Sequence, residues 1–86
     1  MTDAEFQRAE LQEAIDALTQ TMVTLINIEP NLERAKTIIT INGIETPGSR
    51  GAVLASIVSN IMVEISVLRN RIQSVNAELE RWQENL

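Results

Sequence analysis

The chain has 86 residues, no cysteine, no histidine and only two aromatics, Phe6 and Trp82, and it carries a net charge of −5. That length makes one small domain with a modest core, for which self-association is a common remedy. The missing residue types exclude disulfides, thiolate metal sites and the usual general base, and the acidic balance disfavours nucleic-acid backbones and anionic membranes.

The first predicted element is a helix over about residues 3–29. Thr2 and Glu5 have capping-box spacing, and Asp3 and Glu5 put negative charge in the first turn. Leu11, Ile15, Leu18, Met22 and Leu25 follow at alternating steps of four and three, with Arg8, Gln12, Glu13, Asp16 and Gln20 on the opposite face. Pro30 is expected to end or kink this helix.

Residues 31–46 read as an extended linker. One helical turn at Asn31-Leu32-Glu33-Arg34 is followed by Thr37 to Ile41, β-branched throughout, and by Asn42-Gly43, a tight-turn pair. Ile44 and Glu45 would start a return strand that Pro47 stops. So short a strand or ribbon needs support from the helices or from a second subunit.

A long second helix is predicted over about residues 47–85, capped by Thr46 with Pro47 at the first helical position or, alternatively, by Ser49. Its apolar residues keep a 3.5-residue repeat without a missed step: Leu54, Val58, Ile61, Ile65, Leu68, Ile72, Val75, Leu79, Trp82 and Leu86. Val53, Ile57, Met62, Val63 and Val67 widen the stripe in its first half. The expected fold is therefore a mainly α helical hairpin, two long antiparallel helices joined by a short strand or ribbon, in a single domain over residues 1–86. At about 50 Å against about 38 Å, helix 2 outruns helix 1. A coiled-coil homo-oligomer is expected through Ile61, Ile65, Leu68, Ile72, Val75, Leu79 and Trp82. In a parallel pair Glu64 and Arg69 would attract across that interface.

Thr46 to Gly51 is the segment best suited to a small anionic ligand. Gly48 and Gly51 permit close approach, Ser49 offers a hydroxyl, and Arg50 adds a guanidinium at the free amides of a helix start. Arg34 and Lys36 are the nearest further cations. The plainer alternative is that these residues merely start the helix. Glu10, Glu13 and Asp16, and likewise Glu80 and Glu84, lie on charged faces and read as solvated. No constellation for nucleophilic, acid–base or metal chemistry is present, so the expectation is a non-enzymatic protein without cofactor or metal.

Ser49-Arg50 at a helix start, followed by Leu54-Ala55 and a long apolar helix, resembles the phage-encoded nucleotide sponges of the anti-CBASS and anti-Thoeris helical-hairpin family. The resemblance implies an oligomeric, non-catalytic protein that sequesters a phosphate-bearing signal molecule at the helix 2 N-terminus. The alternative is an acidic coiled-coil interaction module, an inhibitor of a host protein or an assembly adaptor. Residues 37–44 are too short to span a bilayer and no leader is recognisable, so a cytoplasmic location, in a host if the source is viral, is expected, with no DNA or membrane partner.

Overall fold

The computed structural model describes residues 2–43 and 50–86. Helix α1 spans Asp3–Gly43 and helix α2 spans Arg50–Glu84. They run antiparallel, as the contacts between Gln12 and Gln83, Thr19 and Asn76, Glu29 and Arg69, and Gly43 and Gly51 require. The molecule is a rod of 66 × 16 × 12 Å. Its radius of gyration, 19.5 Å, far exceeds the roughly 12 Å of a compact chain of this length.

The start of α1 follows the capping box. Glu5 N–H donates to Thr2 Oγ1 at 3.1 Å, and Thr2 N–H donates to Glu5 Oε2 at 3.3 Å. Two free amides at the positive end of the helix are thereby satisfied.

Two expectations about the middle of the chain are corrected. The first helix does not end near residue 29, and no strand occurs among the described residues: residues 31–43 are α-helical. Ile44 to Ser49, which include the expected return strand and both candidate caps of α2, lie outside the described residues. The reason for the long helix is tertiary. β-Branched residues cost a helix at most about 0.7 kcal/mol each. Against that, Leu32 and Ile39 extend the apolar row of Leu11 to Leu25 along α2, and each gains about 25 cal/mol per Å² of apolar surface covered. Pro30 is exposed. The carbonyl that loses its amide partner belongs to Ile26, itself an exposed residue, so solvent can reach this turn. Asn42, expected in a turn, donates through Nδ2 to the Ile38 carbonyl at 2.8 Å within the helix.

Gly43 serves close approach rather than a ribbon turn. A Cβ on it would lie 2.4 Å from the Cα of Gly51, and a Cβ on Gly51 would lie 2.3 Å from the Cα of Gly43. The helices meet backbone to backbone at that end, which only a glycine pair permits.

Burial follows two interlocking heptad rows. On α1 the half-buried or buried positions from Leu11 onward include Ile15, Leu18, Met22, Leu25, Glu29, Leu32, Lys36, Ile39 and Gly43. On α2 they include Gly51, Ala55, Val58, Met62, Ile65, Arg69, Ile72, Asn76, Leu79 and Gln83, with Leu86 following just past the helix end. Both sets step by alternating fours and threes, the seam of an antiparallel coiled-coil pair. Counting back from the glycine contact places Ile65 in the layer of Glu29 and Leu79 in the layer of Ile15. Among the described residues only Ile15 and Ile65 are buried, at 7 % and 6 % exposure. Two helices side by side cannot enclose a core.

Candidate interaction surface

The apolar repeat of α2 splits into two rows. Val58, Ile65, Ile72, Leu79 and Leu86 belong to the seam with α1. The intervening residues do not: Leu54 is 44 % exposed, Ile61 38 %, Leu68 45 %, Val75 48 % and Trp82 56 %. They recur every seven residues, so in a coiled-coil geometry they form a straight line along the rod. The place they would hold in the seam is taken by Ala55, Met62, Arg69, Asn76 and Gln83. Of these five, the sequence pattern singles out only Met62, as part of the widened stripe; Arg69, Asn76 and Gln83 escape it because they are polar. The heptad of α1, carried through Glu29 and Lys36, is the signal that finds them.

The two long edges of the rod differ in chemistry. Leu54, Ile61, Leu68, Val75 and Trp82 each precede a seam residue, as do Ala14, Thr21, Ile28 and Ala35 on α1. Heptad geometry puts all of these on one edge. On the other edge lie Gln12, Thr19, Ile26, Glu33 and Thr40 of α1, with Ser59, Ser66, Gln73 and Glu80 of α2. Asn76 and Gln83 reach toward this second edge to bond α1. Asn76 Nδ2 donates to Thr19 Oγ1 at 3.3 Å, and Gln83 Nε2 donates to Gln12 Oε1 and to the Arg8 carbonyl, both at 3.0 Å.

Shallow grooves run along the apolar edge and the adjoining face of α2. One of about 380 Å³ is lined by Val63, Glu64, Val67, Leu68 and Arg71. Another, of about 480 Å³, is lined by Ser74, Val75, Glu78, Leu79 and Trp82. Charge is sparse here. Arg81 pairs with Glu78 at 2.6 Å on the exposed surface, whereas Glu64 and Arg71 form no ion pair among the described residues. Arg69, expected to serve a second subunit, is turned inward, and its Nη1 donates to Glu29 Oε1 at 2.7 Å.

The expected length mismatch between the helices is absent, since α1 has 41 residues and α2 has 35. Helix α1 lies along the whole of α2, so an unmatched end gives no reason for assembly. The exposed row gives one instead. The accessible surface is 6373 Å², about 1,300 Å² more than the roughly 5,100 Å² of a compact chain of 9.6 kDa.

The anion-site residues are placed less coherently. Arg50 is exposed at the first residue of α2, and Gly51 packs on Gly43. Lys36 lies half-buried in the seam row and Arg34 is exposed on α1. They are seven and nine residues back from Gly43, about 10 and 14 Å along the axis from the head of α2. Gly48 and Ser49 lie outside the described residues. No group of metal-binding side chains occurs among the described residues.

Helix α2 is long and apolar enough to cross a membrane by length and composition. Its apolar stretch, residues 51–68, lies alongside residues 26–43 of α1, which carry Glu29, Glu33, Arg34 and Lys36.

The chain matches no family model, no curated protein and no solved structure.

Proposed function

We propose that the protein acts by assembly and binding rather than catalysis, as an acidic helical hairpin that self-associates and serves as a protein–protein interaction module. The observation that carries this reading is the exposed row Leu54, Ile61, Leu68, Val75 and Trp82, set beside a seam that is itself interrupted by Glu29, Lys36, Arg69, Asn76 and Gln83. An apolar line of this length on a small chain marks an interaction surface. A large aromatic at its end is the type of residue that anchors interfaces.

A bilayer would also cover apolar surface. It would, however, draw four charged residues of α1 to the depth of the apolar stretch, each costing about 2.5–3.5 kcal/mol near the centre of a membrane. An aqueous assembly carries no such cost. Light scattering at micromolar concentration, without detergent, should give at least twice the 9.6 kDa chain mass. A monomer mass, or partition of the hairpin into liposomes, would overturn this reading. Nucleotide sequestration at the head of α2 has one supporting residue among those described, Arg50. It requires calorimetric heat with a cyclic dinucleotide that Arg50→Ala abolishes.

A further inference from the structure

We infer that the occupant of the apolar edge is a second copy of this hairpin, with the two α2 helices antiparallel across a twofold axis at Leu68. This rests on the assembly reading above and adds the partner, the orientation and the register. The exposed row is symmetric in spacing about Leu68. An antiparallel copy sets Leu68 against Leu68, Val75 against Ile61, and Trp82 against Leu54, so the bulkiest side chain lies opposite an aliphatic one at each end.

The charges select the same arrangement. Glu64 and Arg71 stand one position beyond the apolar line, on the side of α2 away from α1, and neither has an ion-pair partner among the described residues. The twofold at Leu68 sets Glu64 of each copy opposite Arg71 of the other, giving two reciprocal pairs. A slip of one heptad sets Glu64 against Glu78 and Arg71 against Arg71, which repel. A parallel pair would draw on Glu64 and Arg69, but Arg69 is committed to Glu29 within the hairpin. Only the antiparallel register at Leu68 pairs opposite charges that the fold leaves unpaired.

The chain has no cysteine, so introduced thiols report the contact directly. An equal mixture of Leu54→Cys and Trp82→Cys proteins, oxidised mildly, should give mainly the disulfide between unlike chains. Predominant disulfides between two Leu54→Cys chains would show a parallel pair and overturn the orientation. In parallel, Glu64→Arg or Arg71→Glu should each weaken the dimer about tenfold in sedimentation, because two attractions become two repulsions. Combining both changes in one chain should restore it to within about threefold. Dimers that survive either single change, or that the double change fails to rescue, would overturn the register while leaving self-association in place. A monomeric wild type would overturn both.

Discussion

The inward and outward rows of α2 are built oppositely. The inward row starts small and apolar at Ala55 and Met62, then turns polar at Arg69, Asn76 and Gln83. The outward row is apolar from Leu54 to Trp82 and exposed throughout. Of the two rows that flank Val58, Ile65, Ile72 and Leu79 of the seam, therefore, the poorer hydrophobic one is covered and the better one is left bare. Polar residues in a seam sacrifice stability and gain register. Here Arg69 pairs with Glu29, and Asn76 and Gln83 bond to α1, so a shifted hairpin would strand them. That selectivity is incomplete even in the native register: Arg69 Nε and Asn76 Oδ1 are buried without a hydrogen-bond partner. The division suggests that the hairpin is aligned by its inner row and assembled by its outer one.

The largest expected effect comes from breaking the outer row alone. Leu68→Lys places two ammonium groups at the centre of the proposed dimer and should weaken association at least about a hundredfold. Because Leu68 is 45 % exposed in the hairpin, circular dichroism should keep its helical signal. Loss of helix with loss of mass would show that the two rows are not separable. Replacing Ile72 and Leu79 would not make this distinction, since both lie in the seam with α1.

Breaking the inner row at its tight end comes next. Gly51→Val puts a side chain where the Gly43 backbone already stands and should destabilise the hairpin by about 1–3 kcal/mol through overpacking. Thermal melts at fixed concentration check this. An unchanged midpoint would mean that the helix ends separate freely and that the glycine contact does not contribute.

The smallest effect sharpens the contrast instead. Asn76→Leu removes a half-satisfied amide from the seam and makes the inner row resemble the outer one. It should raise stability by about 1 kcal/mol while broadening the population of registers, read as multiple spin-label distances between α1 and α2. A destabilised variant with a single distance would show that Asn76 earns its place through its hydrogen bond to Thr19.

Much of this protein was legible before any tertiary contact was known. The capping box at Thr2 and Glu5 is a local hydrogen-bond exchange, so its residues suffice to show it. The 3.5-residue repeats in both halves fix helices and a hairpin because apolar periodicity is a property of one chain segment. Composition alone removed thiol and imidazole chemistry. Residues 31–43 were illegible because their local preference for extended structure is weak, and the row that overrides it lies on another helix. Tertiary structure also decided how the repeat of α2 is divided. A helix with apolar residues in three adjacent heptad columns can turn any two of them toward a neighbour. The choice was made by the close glycine pair Gly43–Gly51 and the polar partners of Arg69, Asn76 and Gln83, none of which leaves a trace in the periodicity of α2 itself.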